Sequence, residues 1–152
     1  MAYASVDARQ ELLDGLAAAI DDVGYALATL GSAYEQLDEY SADKLEQALF
    51  RPSQTAFARA KRTYAEFAGR HGLTTRGFEA QAAGLPSTGA KGFIDAAVEA
   101  VGEADQALAT LQDAPSFVDV GDLQLRAGLA DVRKLLGGIR IDARDLVRRL
   151  GR

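Results

Sequence analysis

The sequence predicts an all-α protein, an antiparallel four-helix bundle made of two repeated helical hairpins. The first observation behind this prediction is that apolar residues recur at alternating spacings of three and four, which keeps one seam of a helix facing its partners. The first seam is Leu13, Leu16, Ile20, Val23, Leu27, Leu30, Tyr34 and Leu37, and the last is Leu125, Leu129, Val132, Leu136, Ile139, Ala143, Leu146 and Leu150. Long amphipathic helices are not stable alone in water, so we expect these seams to be buried against one another.

The second observation is an internal similarity between the halves of the chain. A shift of 78 residues aligns residues 18–24 with 96–102 and places Ser41 opposite Asp119, both good N-cap residues. Net charge follows the same pattern: −7 over residues 1–40, +3 over 41–72, −5 over 73–120 and +4 over 121–152. We therefore predict a duplicated hairpin, with acidic helices flanked by basic ones.

Composition indicates one globular domain over residues 1–152. Hydrophobic residues make up 48% of the chain and charged residues 26%, which is ordinary for a soluble protein. The absence of cysteine excludes disulfides and zinc–thiolate sites. No apolar run is long enough to span a membrane, and the N-terminus lacks the basic start of a secretory signal, so we expect a cytoplasmic protein.

The first hairpin is predicted over residues 5–72. Helix 1 covers about 5–39. Helix 2 begins after Ser41 and ends at His71, with Gly72 as the C′ residue. Pro52 lies inside helix 2, so we expect that helix to be kinked or broken there.

The connector is predicted over residues 73–87, with a short helix at 75–83. The second hairpin is predicted over residues 88–151. Helix 3 begins near Ser87 or Thr88 and stops before Pro115, and helix 4 runs from near Asp119 to Leu150. The adjacent Gly137 and Gly138 mark the expected bend of helix 4.

Glycines inside the predicted helices have two explanations, because each one costs about 1 kcal/mol against alanine. They can allow two helices to approach closely, or they can leave space for a ligand. The residues concerned are Gly15, Gly24, Gly31, Gly102, Gly128, Gly137 and Gly138.

His71, the single histidine, lies on the same helix face as Tyr64 and Phe67. The predicted fold resembles that of histidine-phosphotransfer domains, which display a histidine on a helical bundle. That resemblance implies a phosphoacceptor role for His71. It concerns architecture alone, because here Gly72 ends the helix directly after the histidine. The other interpretation is that His71 interacts with the helix C-terminal dipole.

Three more residues are candidates for a ligand site. Asp105 aligns with Leu27 of the first seam, which has two interpretations. In the first, Asp105 is a buried acid that pairs with an arginine of helix 2 or helix 4, or binds a polar ligand. In the second, Ala104 takes the inward position and Asp105 is exposed. Tyr34 and Tyr64 either line a pocket or belong to the core with their hydroxyls in water.

Known catalytic and metal-binding patterns are absent from the sequence. One histidine without a Glu-x-x-His motif excludes a di-iron bundle, and no Ser/His/Asp or Cys/His set can be assembled. We therefore predict no catalytic residue, no metal and no cofactor. Helix 4 carries a basic run, but aspartates interrupt it and no aromatic residue accompanies it, so we predict no nucleic-acid partner. The run is Arg133, Lys134, Arg140, Arg144, Arg148, Arg149 and Arg152.

These exclusions favour a non-enzymatic helical-bundle protein that acts through protein–protein interaction or self-association. Apolar residues beside the main seams, such as Leu123 and Ile141, widen the apolar face of helix 4 and agree with deep burial or with a homodimer. The alternatives are a bundle that binds a small molecule in its core and a histidine-phosphotransfer domain that uses His71.

Overall fold

The structure is a computed structural model that describes residues 2–84 and 89–150. The described part is helical, with no β-strand. Its elements are α1 (Ala2–Glu35), α2 (Glu39–Leu45), a π-helical turn (Glu46–Phe50), α3 (Arg51–His71), α4 (Gly89–Asp113), α5 (Pro115–Val120) and α6 (Leu123–Leu150). None of the helices in this part of the chain is long and apolar enough to cross a membrane. The predicted all-α class is confirmed.

The four long helices surround one hydrophobic core. Helix α1 packs against α4 and α3, and α6 packs against the same two helices. Gly15, in the first half of α1, lies against Leu111 near the end of α4. On the other side, Arg59 of α3 pairs with Asp131 of α6, and the later Arg70 pairs with the earlier Asp122. Within each of these two pairs the helices therefore run in opposite directions.

The α1 seam differs from the prediction in its second half. Leu13, Leu16, Ile20, Val23 and Leu30 are buried as expected. Ala26 and Ala33 are also fully buried, whereas Leu27 is half-buried and Tyr34 is 42% exposed. Adjacent residues lie about 100° apart around a helix, so the buried face of α1 turns from the Leu27 side toward the Ala26 side in its second half. In α6, the predicted seam from Leu125 to Leu146 is buried throughout.

Both predicted N-caps were wrong. Helix α2 is capped by Asp38, whose carboxylate accepts a hydrogen bond from the Ser41 amide at 2.7 Å. Helix α6 is preceded by Asp122, which accepts from the Leu125 amide at 2.8 Å, while Asp119 lies inside α5. Asp119 cannot cap α6 because Pro115 starts a separate short helix that contains it, with Ala114 in an extended conformation. The caps are therefore 84 residues apart and do not follow the 78-residue shift.

Near Pro52 the helix type changes. The π-helical turn Glu46–Phe50 directly precedes α3, and the Arg51 amide bonds the carbonyl of Glu46, five residues earlier. The backbone is right-handed helical at Glu46, Phe50 and Arg51, so the helix does not break before Pro52. Proline lacks an amide donor, and the regular pattern of helical hydrogen bonds changes in the π-helical turn directly before it. A bend of the helix axis at this proline stays a prediction.

The described part of the connector contains no helix, so the predicted helix at 75–83 was wrong. Residues 73–84 have no regular secondary structure. The proposed helix starts at Ser87 and Thr88, like the terminal Arg152, lie outside the described residues. Helix α4 ends at Asp113, before Pro115 as predicted.

Several of the in-helix glycines allow close packing. A Cβ atom on Gly128 would overlap the Thr63 side chain, and one on Gly15 would lie 2.6 Å from Leu111 Cδ2. Gly24 lies against the Phe57 ring. By contrast, a Cβ on Gly31, Gly137 or Gly138 would meet nothing within 4 Å. Packing therefore explains some of these glycines and leaves the others open.

Helices of like charge are neighbours, contrary to the predicted alternation. The most extensive helix contact joins α1 to α4, and the next joins α3 to α6. Helix α1 carries six acidic and one basic residue and α4 five and one, whereas α3 carries five basic and one acidic and α6 seven and three. Burial raises the pKa of Asp22, and the nearby Glu103 of α4 and Asp21 raise it further. One side of the protein is thus acidic and the other basic.

Candidate functional site

His71 is the last residue of α3 and is bonded to the start of α6. Its Nε2 lies 2.9 Å from Oδ2 of Asp122, and its ring meets Phe67 edge-on at 4.8 Å between centroids. The side chain is 21% exposed. Gly72 follows in the left-handed conformation, which ends the helix. The histidine therefore belongs to a contact between two helix ends.

Asp122, which was not predicted from the sequence, is the centre of that contact. Its carboxylate accepts two hydrogen bonds from Arg70, at 2.8 and 2.9 Å, besides those from His71 and the Leu125 amide. Burial alone would raise the pKa of Asp122, but the bonds from Arg70, Leu125 and His71 outweigh it and lower the pKa to about 2. The available sequence signal was a Gly-Asp pair directly before an apolar helix.

The burial of Asp105 is intermediate between the two alternatives that the sequence left open. Ala104 is fully buried and takes the inward position, while the Asp105 side chain is 17% exposed at the edge of the core. It accepts from Arg133 Nε at 2.8 Å and lies 3.9 Å from Arg140, so it pairs with α6. Its hydrogen bond raises the pKa of Arg133. Arg133 also donates to Gln112 at 2.8 Å, and the group joins α4 to α6.

The two tyrosines do not share a pocket. Tyr34 lies on the surface at the end of α1. Tyr64 is buried in α3, and its hydroxyl accepts a hydrogen bond from the Arg76 amide at 3.1 Å. In the described residues, the structure does not bring His71, Asp105, Tyr34 and Tyr64 together. That part of the chain also holds no cluster of three or more His, Asp or Glu side chains that could bind a metal.

The connector forms an extended strap, residues 73–84, which lies over α1 and α3. Gln10 of α1 bonds both backbone groups of Thr74, and Arg76 pairs with Asp21 of α1 at 2.7 Å. Farther along, Gly84 lies near the hydroxyl of Tyr25. Open clefts of about 560, 490 and 390 Å³ border this strap. We call the surface of α1 and α3 under it the strap groove; its residues include Gln10, Asp21, Tyr64 and Ala68.

A second candidate site is the outward face of α6, here called the α6 surface. Its members recur at helical spacing and are all exposed: Leu123, Ala127, Ala130, Lys134, Gly138 and Ile141. Leu123 is 78% exposed and Ile141 64%. Beside it, a groove of about 500 Å³ lies between α3 and α6, lined by residues that include Pro52, Leu135 and Ile139.

Comparison with known proteins gives no relative for this chain. No family, no curated protein and no solved structure matches it. The candidate sites therefore have to be interpreted from their own chemistry.

Proposed function

We propose that this protein is a non-enzymatic helical bundle that acts through contact with a partner protein or with a second copy of itself. The observation that carries the proposal is the α6 surface. Two large aliphatic side chains, Leu123 and Ile141, are mostly exposed on one face, about five helical turns apart, and between them lie Ala127, Ala130, Lys134 and Gly138. The two aliphatic side chains offer apolar area to a partner, and the alanines and Gly138 between them let a second helix approach closely.

The architecture in this proposal is an antiparallel four-helix bundle. What supports it is the ring of contacts α1–α4–α6–α3 and the opposed direction of paired helices. A duplicated hairpin is part of the same proposal, since α1 contacts α3 within the first half and α4 contacts α6 within the second. The different spacing of the N-caps weighs against a simple repeat, so the duplication has less support than the bundle.

The two alternative functions have less geometric support. The Nε2 atom of His71 is engaged by Asp122, which leaves that nitrogen poorly placed to receive a phosphoryl group. For a ligand in the core, the predicted lining is scattered, because Tyr34 is exposed, the Tyr64 hydroxyl is bonded and Gly128 is packed against Thr63.

Sedimentation velocity across a range of protein concentrations tests self-association, and a photo-crosslinking residue in place of Ile141 tests contact with a partner in cell extract. We expect a concentration-dependent dimer or one discrete crosslinked product, weakened at least tenfold by Leu123→Ser combined with Ile141→Ser. The matched control is Val6→Ser, which removes a 48% exposed aliphatic residue from α1. A protein that stays monomeric and gives no product, or that gives the same product from a crosslinker at Glu99, contradicts the proposal. Turnover that is lost on changing His71 or Asp105 would reject its non-enzymatic part.

A further inference from the structure

The strap is held by contacts that recognise an extended backbone. Gln10 donates from Nε2 to the Thr74 carbonyl, and its Oε1 accepts from the Thr74 amide, both at 3.0 Å. The same Nε2 donates to Asp14 Oδ1 at 3.0 Å, which fixes the orientation of the amide. One glutamine thus bonds a peptide residue as a neighbouring β-strand would, whatever its side chain is.

Two residues farther along, the strap groove recognises side chains as well. The Arg76 amide donates to the buried Tyr64 hydroxyl, and the Arg76 guanidinium donates to Asp21. The Phe78 ring packs edge-on against Tyr64, with 5.1 Å between centroids, and the Arg76 cation lies 4.8 Å from the same Phe78 ring. An arginine two positions before an aromatic residue therefore satisfies an acid and an aromatic ring of the groove together.

The strap fills the groove incompletely. Thr74, Thr75, Arg76 and Gly77 are exposed, and the clefts beside them remain open. The largest, about 560 Å³, is lined on the α3 side by Tyr64 and small residues such as Ala65, Ala68 and Gly69. The groove could thus hold side chains larger than those of the strap next to Thr75.

We propose that the strap groove is a recognition site for an extended peptide with an arginine two positions before an aromatic residue, and that the protein's own strap occupies it in cis. Backbone bonds supply affinity and the Asp21 and Tyr64 contacts supply specificity, as in other modes of extended-peptide recognition. Because the strap is tethered at millimolar effective concentration, a partner peptide has to displace it. The site is separate from the α6 surface, so it does not rest on the function proposed above.

The test uses a fluorescent synthetic peptide of residues 72–84 and the variant Arg76→Ala/Phe78→Ala, which removes the specific contacts of the strap without shortening it. We expect the peptide to bind this variant at least tenfold more tightly than the wild type by fluorescence anisotropy. Adding Asp21→Arg to the variant should abolish binding, and a peptide with glutamate at the Arg76 position should restore it. A peptide with alanine at both positions is the matched control.

Hydrogen exchange on the wild-type protein provides a second measurement, which holds even if the double variant does not fold. Excess peptide should accelerate exchange at the amides of Thr74 and Arg76, because the strap leaves the groove, while amides in the middle of α6 stay unchanged. Two results would show that the strap is a structural connection only and that the proposal is wrong. One is that millimolar peptide leaves the amides of Thr74 and Arg76 protected. The other is that the strap peptide binds a folded variant no better than the control peptide with alanine at both positions does.

Discussion

The carboxylate of Asp122 lies 2.9 Å from Nε2 of His71, and this contact joins the last residue of α3 to the residue that precedes α6. The same carboxylate caps α6 through the Leu125 amide and binds Arg70 with both oxygens. The Arg70 guanidinium at the end of α3 and the backbone amides at the start of α6 both favour a negative charge at this point.

We expect Asp122→Ala to lower the free energy of unfolding by about 2–4 kcal/mol, because the cap and the charged hydrogen bonds are lost together. Asp122→Asn keeps a cap acceptor and should cost about half as much. Urea denaturation of the three proteins measures both differences. Equal stability of the alanine variant and the wild type would show that this contact contributes nothing.

Stability should also depend on pH through Asp122. Its pKa is about 2 in the folded protein, below its ordinary value of 3.8, so the folded state favours the charged form. The resulting stabilisation is complete above pH 4 and is lost as the pH falls through about 2, and we expect it to amount to about 1–2 kcal/mol after screening. The measurement is the difference in unfolding free energy between wild type and Asp122→Asn at pH 5 and pH 2.5. A difference that does not shrink at the lower pH contradicts the assignment.

Asp22 should show the opposite behaviour. Burial, Glu103 and Asp21 raise its pKa, so ionised Asp22 weakens the folded state at neutral pH. A neutral asparagine avoids this cost, so Asp22→Asn should stabilise the protein by about 0.5 kcal/mol at pH 7. Well below pH 4 the aspartate is protonated in both the folded and the unfolded state, so the same substitution should have no effect. Thermal melts at the two pH values check this, with Glu99→Gln, an exposed acidic residue of α4, as the control. Loss of stability at pH 7 would show that Asp22 makes a favourable contact.

Two glycines of the same helix should respond oppositely to alanine. Gly128→Ala brings a methyl group into the Thr63 side chain and should cost about 1–3 kcal/mol. Gly137→Ala meets nothing within 4 Å and should stabilise α6 by up to about 1 kcal/mol. Denaturant unfolding of both variants gives the comparison, and Thr63→Ala should recover part of the Gly128→Ala loss. A harmless Gly128→Ala would mean that α3 and α6 can move apart at no cost.

The drift of the α1 seam can be tested with two leucines. Leu30 is 1% exposed, so Leu30→Ala should lower the free energy of unfolding by about 2–5 kcal/mol. Leu27 is half-buried, so Leu27→Ala should lower it by about 1 kcal/mol. A strict heptad seam predicts equal losses. The midpoints of chemical denaturation at equal m-value distinguish the two cases.

Periodicity predicted the long helices well and their ends poorly. The seam of α6 is buried from Leu125 to Leu146, as its spacing predicts. The ends were displaced because capping depends on a few polar residues with several nearby equivalents: Asp38 caps α2 in place of Ser41, and Asp122 precedes α6 in place of Asp119. The pairing of acidic α1 with acidic α4 was also missed, because exposed charge pairs are worth too little to select neighbours against apolar burial.

By itself, the sequence determined that this protein is helical and which side of α6 is buried, because a helix repeats every 3.6 residues and water expels the apolar stripe. Only the tertiary structure decided what contacts what: that His71 and Arg70 meet Asp122, that Asp105 meets Arg133, and that the connector lies over Gln10, Asp21 and Tyr64. These contacts join residues far apart in the chain, and they exist only because core packing holds the helices at one set of distances and angles.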